Sequence, residues 1–415
     1  MSTGVSEQRR DAAAEREAAG VGPGVTAAGR EASGARADAA RAETTADLHG
    51  GKIREAAAAL GIDVAGLLDF SMNVNFLGPT PGVLAAARRA VDEMAWYPLD
   101  PPVGVRRAAA TFLDVSEDRV ILGNGASELI FLVAACLRPR RVLVVGPTFT
   151  EYERAARAWG AEIDVLWLSE DRDFRLAPAD LDDPALHARI AQADLVFLCD
   201  PNNPTGALFE RDARDRLLDL AGASGTPVFI DESFLAFTEA WPDASATRRA
   251  DTHAIVLHSF TKILAMPGLR VGALVVSPEL AAVLGPRTPP WNLNCVAQTA
   301  ALAAFSERDV LAETPAATAA ARTALREGLA DVSFIERILP ADANFLCLRL
   351  ARPEATHLAA RLRDEHGILV RDLSSFPGMG PHYLRTAVRA PEDNRRLVEA
   401  VNAIGAVARP AGGDA

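Results

Sequence analysis

The stretch SFTKILAMPGLRVG, residues 259–272, decides how the rest of the chain reads. It follows the β-branched run AIVLHS (254–259), so it begins where a strand ends. Most lysines are solvated surface charges. Lys262 is one of only a handful in this chain, and Ser259, Thr261 and Arg270 stand close to it in sequence. Two hydroxyls and a guanidinium can hold a phosphate, with the arginine as the bidentate partner.

Outward from this point, short apolar runs alternate with helical stretches. VIL (120–122), RVLVVG (141–146), DLVFLC (194–199), PVFID (227–231), AIVLHS (254–259) and GALVV (272–276) read as strands. ELIFLVAACL (128–137) and ERDARDRLLDLAG (210–222) read as helices between them. Strand–helix alternation over this length predicts an α/β domain with a mostly parallel sheet. Pro289 and Pro290 punctuate its end. Beyond them come an Ala-rich helical region (295–330) and the strands FLCLRL (345–350), ILVRDL (368–373) and YLRTAV (383–388), which predict a smaller α+β lobe.

Other chemistry-bearing residues fall at strand ends. In GNGASELIF (123–131) glycines close a strand and open a helix, where the N–H groups of Ala126 and Ser127 can meet an anion. Asp231 closes PVFID, where α/β sheets bind ligands, although it can equally cap the helix that follows. DPNNPTG (200–206) is a rigid turn that presents Asn203. A lysine beside a phosphate cradle, with this Asp and this Asn at neighbouring strand ends, has the layout of a pyridoxal phosphate site. Asp231 would keep the ring nitrogen protonated, and Asn203 would donate to the ring phenolate. No metal site is expected.

The chain has 415 residues, 49% apolar and 24% charged, which excludes a disordered chain and a single small module. A formal net charge of −12 argues against nonspecific binding to nucleic acid or an anionic membrane, which needs basic patches. Cys136, Cys199, Cys295 and Cys347 are widely spaced without a CxxC pair, and read as reduced, buried thiols of a cytosolic protein. No apolar run reaches the roughly 18 residues of a membrane span. Residues 1–47 lack Leu, Ile, Phe, Trp and Tyr, and are expected to be a disordered Ala/Glu/Arg-rich tail without a secretory or transit signal. The expected organisation is then an N-terminal arm with part of the small domain at 48–95, a large cofactor-binding domain at 96–300, a small C-terminal domain at 301–408 and a disordered tail at 409–415.

The order NNPTG, D-E-x-F and SxTK, with an arginine eight residues beyond the lysine, resembles the fold type I (aspartate-aminotransferase-like) pyridoxal phosphate enzymes from about Leu48 to Val407. That resemblance implies a large domain with a mostly parallel seven-stranded sheet and a small α+β C-terminal domain. Two branches of the family compete, histidinol-phosphate aminotransferase and threonine-phosphate decarboxylase. HGGKIREAAAALGI (49–62), DFSMNVNFLGP (69–79), TKILAMPGLRVG (261–272) and RDLSSFPGM (371–379) with YLRTAVR (383–389) resemble the decarboxylase branch. So does Phe234, where most aminotransferases of the family keep a Tyr. Phe76 and Lys52 depart from the branch's usual Pro and Asn.

Carried over residue by residue, the resemblance implies Lys262 as the Schiff-base lysine, Asp231 as the pyridinium partner and Asn203 as the phenolate donor. Ala126, Ser127, Ser259, Thr261 and Arg270 fall at phosphate-cup positions, and Phe149 at the ring-stacking position. Arg385, Arg371, His49, Gly50 and Asn75 are the implied substrate contacts. Tyr97, in WYPLDPPVG (96–104), is implied to reach the partner's cofactor phosphate in a homodimer with shared sites. The implied reaction is decarboxylation of O-phospho-L-threonine to (R)-1-aminopropan-2-yl phosphate, in cobalamin biosynthesis. Transamination of the histidinol-phosphate type is the alternative. Phosphoserine lacks one methyl, worth roughly 1–3 kcal/mol in a pocket. A pyridoxal-binding DNA regulator is disfavoured, because residues 1–47 carry no helix-turn-helix pattern.

Overall fold

The computed structural model describes residues 50–249 and 253–407. His49 and both expected tails lie outside the described residues. In chain order the strands are β1 (Leu68–Asp69), β2 (Val120–Gly123), β3 (Arg141–Gly146), β4 (Glu162–Trp167), β5 (Leu195–Cys199), β6 (Val228–Asp231) and β7 (Ala254–His258). They continue with β8 (Gly272–Val275), β9 (Ile335–Ile338), β10 (Phe345–Leu350), β11 (Ile368–Leu369), β12 (Arg371–Asp372) and β13 (Tyr383–Ala387).

The largest sheet has seven strands in the order β2-β8-β7-β6-β5-β3-β4. Every pairing in it is parallel except those of β8, which runs antiparallel to β2 and β7. The expected α/β fold is present. Strands β5, β6 and β7 are buried along their whole length, as strands covered on both faces must be. Val196, Ile230 and Val256 join the core on one face, and Phe197, Phe229 and Ile255 the core on the other. A second sheet has the order β12-β13-β10-β9, and β1 pairs with β11 alone.

Three features differ from the sequence reading. Strands β4 and β9 were not expected. Their sequences, EIDVLW and IERI, mix charged and apolar residues because both strands are partly exposed. ILVRDL is not one strand. It divides at Val370, because Ile368–Leu369 pairs in parallel with β1 while Arg371–Asp372 pairs antiparallel with β13. The cysteines are all free, but only Cys199 and Cys347 are buried, while Cys136 and Cys295 are half-buried. No described helix is long and apolar enough to cross a membrane.

Candidate active site

The C-terminal ends of the parallel strands meet β12 and β13 around a cavity of about 280 Å³. Asn203, Asp231, Ser259, Thr261, Lys262 and Arg270 line it. So do Gly50, Ala126, Ser127, Phe149, Arg371 and Arg385, brought there from distant parts of the chain.

Lys262 sits in the short helix Phe260–Ile263, directly after β7. The chain holds only one other lysine, Lys52. The Asn75 N–H donates to the Lys262 carbonyl at 3.0 Å, which fixes the backbone. The Lys262 ammonium lies 4.9 Å from the centre of the Phe234 ring. Burial lowers its pKa against the opposing pull of Asp231, which favours the neutral amine that an imine-forming lysine requires.

The anion cup is assembled from two strand ends. The Ser259 and Thr261 hydroxyls are 2.8 Å apart. The helix Gly125–Leu137 starts without a side-chain cap, so its first N–H groups remain for a ligand. Arg270 crosses this helix start so closely that a Cβ on Gly125 would lie 2.4 Å from Arg270 Nη2. Gly125 also has φ +79°, which disfavours any other residue.

Asp231 ends β6 between Cys199 and Leu257 on the flanking strands. Its Oδ2 accepts from the Tyr152 hydroxyl at 2.7 Å, and its Oδ1 from the Ser233 N–H at 2.9 Å. Two donors hold the carboxylate in a fixed orientation. Tyr152 is fully buried, stacks on Phe197 at 5.2 Å and meets the Phe149 ring edge-on at 5.6 Å. The sequence reading passed over Tyr152. Tyr152 lies in the first turn of the helix Glu151–Arg157, three residues after Phe149, and nothing in that local sequence marks its bond to Asp231.

Asn202 locks the DPNNPTG turn by donating to the Pro147 carbonyl at 3.0 Å and to Thr205 Oγ1 at 3.1 Å. That leaves Asn203 facing the cavity. Its Oδ1 accepts from Arg385 Nη1 at 2.5 Å, which directs the amide nitrogen elsewhere. Arg385 Nη2 donates to the Ser71 carbonyl at 2.8 Å, while its Nε is buried without a partner. Arg371 is the direct cross-strand neighbour of Arg385. Burial and the facing Arg371 both push the Arg385 pKa down. Asn73 lines the same end of the cavity, with Oδ1 buried and unpartnered.

Two expected site residues are placed differently. Asn75 does not line the cavity, because its side-chain N–H groups donate to the Ile263 carbonyl and Thr314 Oγ1, both at 3.0 Å. The asparagine of that motif that reaches the cavity is Asn73. Tyr97 is 81% exposed and stacks on Trp291 at 4.6 Å, outside the cavity of its own chain.

Among the described residues, three guanidinium groups, Arg270, Arg371 and Arg385, and the Lys262 amine thus line one cavity with a single carboxylate, Asp231. An uncapped helix start, paired hydroxyls, an oriented Asp and a flanking aromatic fit pyridoxal phosphate at every polar end. The fold and this cavity define a fold type I pyridoxal-phosphate-dependent enzyme. The chain belongs to the aminotransferase class I and II family, which residues 65–404 match. It is 35% identical over 354 residues to threonine-phosphate decarboxylase of Salmonella typhimurium, covering 85% of this chain and 95% of that one. It is also 35% identical over 346 residues to histidinol-phosphate aminotransferase of Symbiobacterium thermophilum, covering 81% and 90%. The crystal structure of histidinol-phosphate aminotransferase from Clostridium acetobutylicum superposes with a TM-score of 0.74 at 27% identity, over 82% of this chain and 100% of that one.

Proposed function

We propose that this protein decarboxylates O-phospho-L-threonine to (R)-1-aminopropan-2-yl phosphate, a step of cobalamin biosynthesis. The observation that carries this reading is the buried pair Arg371 and Arg385, facing each other across β12 and β13 in a cavity with one carboxylate. Buried like charges need a counter-anion between them. The cofactor's phosphate is accounted for at Arg270 and the helix start, and the buried Asp69 carboxylate also acts on Arg385, so we assign the substrate's anion to this pair. A phosphorylated amino acid brings two anions.

When bound, pyridoxal phosphate supplies an electron sink for the bond at the substrate Cα that stands perpendicular to its ring. Lys262 would hold it covalently and would handle the proton at the substrate Cα. Asp231, aimed by Tyr152, would keep the ring nitrogen protonated, and the Asn203 amide would donate to the ring phenolate. Ala126, Ser127, Ser259, Thr261 and Arg270 would hold the cofactor phosphate, and Phe149 would lie against the ring. Arg371, Arg385 and Asn73 hold the substrate phosphate. Gly50 brings the N-terminal arm hard against Ser71, where a Cβ would lie 2.4 Å from the Ser71 carbonyl oxygen. The substrate carboxylate is then free to turn perpendicular to the ring and leave as CO₂.

The second reading is transamination of the histidinol-phosphate type, supported by the equal identity to the Symbiobacterium enzyme. There the arginines would hold the carboxylate in the ring plane, and Cα–H would be the bond that breaks. Phe234 favours the first reading. It packs edge-on against Phe345 at 4.9 Å and offers no hydroxyl beside Lys262. We further infer a homodimer with shared sites, because Met94, Trp96, Tyr97 and Leu99 form an apolar segment exposed at 70% to 81%. Free cysteines fit the reducing cytosol this reading assumes. Incubation with O-phospho-L-threonine in the absence of any 2-oxo acid tests the proposal. CO₂ and an amino-alcohol phosphate are expected, and glutamate formed from histidinol phosphate and 2-oxoglutarate without CO₂ would establish the alternative.

A further inference from the structure

Glu232 follows Asp231, and His258 precedes Ser259. Side chains alternate across a sheet, so these neighbours of the cavity point to its opposite face. Both are buried, at 2% and 4% exposure. His258 Nε2 lies 3.6 Å from Glu232 Oε2 and has no hydrogen-bond partner. Glu232 Oε2 accepts from the Ser245 hydroxyl at 2.6 Å, and its Oε1 from the Ala246 N–H at 2.7 Å.

Few charges face this carboxylate. From β7 comes His258 alone. The segment Ser245–Thr247 brings only hydroxyls and N–H groups. The end of β5 brings Asp200, and the helix Arg211–Ser224 brings Arg214, 3% exposed. Arg214 is shared. It lies 3.9 Å from Asp200 Oδ2 and 2.9 Å from Asp215 Oδ1, and its guanidinium also donates to the Ala244 carbonyl. Glu232 is therefore left without a cation of its own. Burial pushes its carboxyl up to about 7 and the His258 ring down to about 3. A proton is the missing positive charge.

We propose that Glu232 and His258 hold one proton between them behind the cavity floor, and that this pair positions Asp231 and Ser259 and sets the charge beneath the cofactor. With the proton in place, the Glu232 O–H donates to His258 Nε2 and the two strand ends are drawn together. When the proton leaves to solvent, a second carboxylate is buried beside Asp231. That negative charge favours protonated groups in the cavity. The inference depends on the cofactor and not on which substrate is used.

The test compares wild-type and Glu232→Gln holoenzymes. Glutamine can accept from Ala246 and donate to His258 Nε2, so it imitates the protonated pair. In protein carrying isotope-labelled glutamate, a protonated-carboxyl infrared band should fade through a midpoint of about 7 in the wild type and be absent from the variant. Glutamate labelling separates it from Asp200, which burial pushes up to about 6. The pH midpoint of the bound cofactor's visible absorption should fall by roughly half a unit in Glu232→Gln, because the charge behind the floor is gone. His258→Phe should lower the infrared midpoint by removing the acceptor. If Glu232→Gln fails to fold, the labelled band in the wild type and in His258→Phe still decides the matter. Absence of a labelled band titrating near neutrality overturns the shared proton, and coincident cofactor midpoints overturn the positioning role.

Discussion

Arg371 and Arg385 are direct partners in the antiparallel pair of β12 and β13, with both guanidinium groups buried at the cavity. Arg385 also bonds Asn203 and the Ser71 carbonyl. Arg385→Ala is expected to reduce kcat/KM by about 2–5 kcal/mol in transition-state terms, the cost of stripping a partner from a desolvated anion. Arg371→Ala should lose less. Both variants should keep the cofactor's visible spectrum. Near-normal kcat/KM in Arg385→Ala would place the anion site elsewhere.

Tyr152→Phe removes one hydroxyl and leaves a buried carboxylate oxygen of Asp231 without its donor. Orphaning a buried group costs about 1–3 kcal/mol, so cofactor affinity should fall about tenfold while the fold persists. Fluorescence titration of the apoenzyme with pyridoxal phosphate measures this. An unchanged dissociation constant would mean that Tyr152 does not orient Asp231.

Gly125→Ala forces a side chain into φ +79° and against the Arg270 guanidinium. The strain is worth about 1–3 kcal/mol, and the displaced arginine opens the anion cup. Cofactor retention on gel filtration should drop, with far-ultraviolet circular dichroism unchanged. Full retention would show that Arg270 is dispensable to the cup.

Tyr97 tests the shared site. Its ring is far more exposed than a core aromatic and, among the described residues, stacks on Trp291. Inactive Tyr97→Ala and inactive Lys262→Ala subunits should complement when mixed. A mixed dimer places both defects in one site and leaves the other whole, so random pairing restores about a quarter of normal activity. Heterodimers that form but remain inactive would confine Tyr97 to its own subunit.

What was legible in the sequence follows from burial. Strands β5, β6 and β7 are buried on both faces, so they read as unbroken apolar runs, and the residues at their ends could be placed by position alone. Strands β4 and β9 mix charged and apolar residues on partly exposed faces, so neither shows the unbroken apolar run of a buried strand. Asn75 and Asn73 sit two residues apart in one motif, and only the fold shows which of them is used up by Ile263 and Thr314. Tyr152 was hidden for another reason. Its value lies in a hydrogen bond to a residue 79 positions away, which no local pattern encodes.

The central claim concerns which bond at the substrate Cα breaks. The most direct measurement follows carboxyl-labelled O-phospho-L-threonine with the holoenzyme and no 2-oxo acid. The account predicts that the label leaves as CO₂, mole for mole with the amino-alcohol phosphate. Label retained in an acid, together with glutamate formed only when 2-oxoglutarate is supplied, would contradict it.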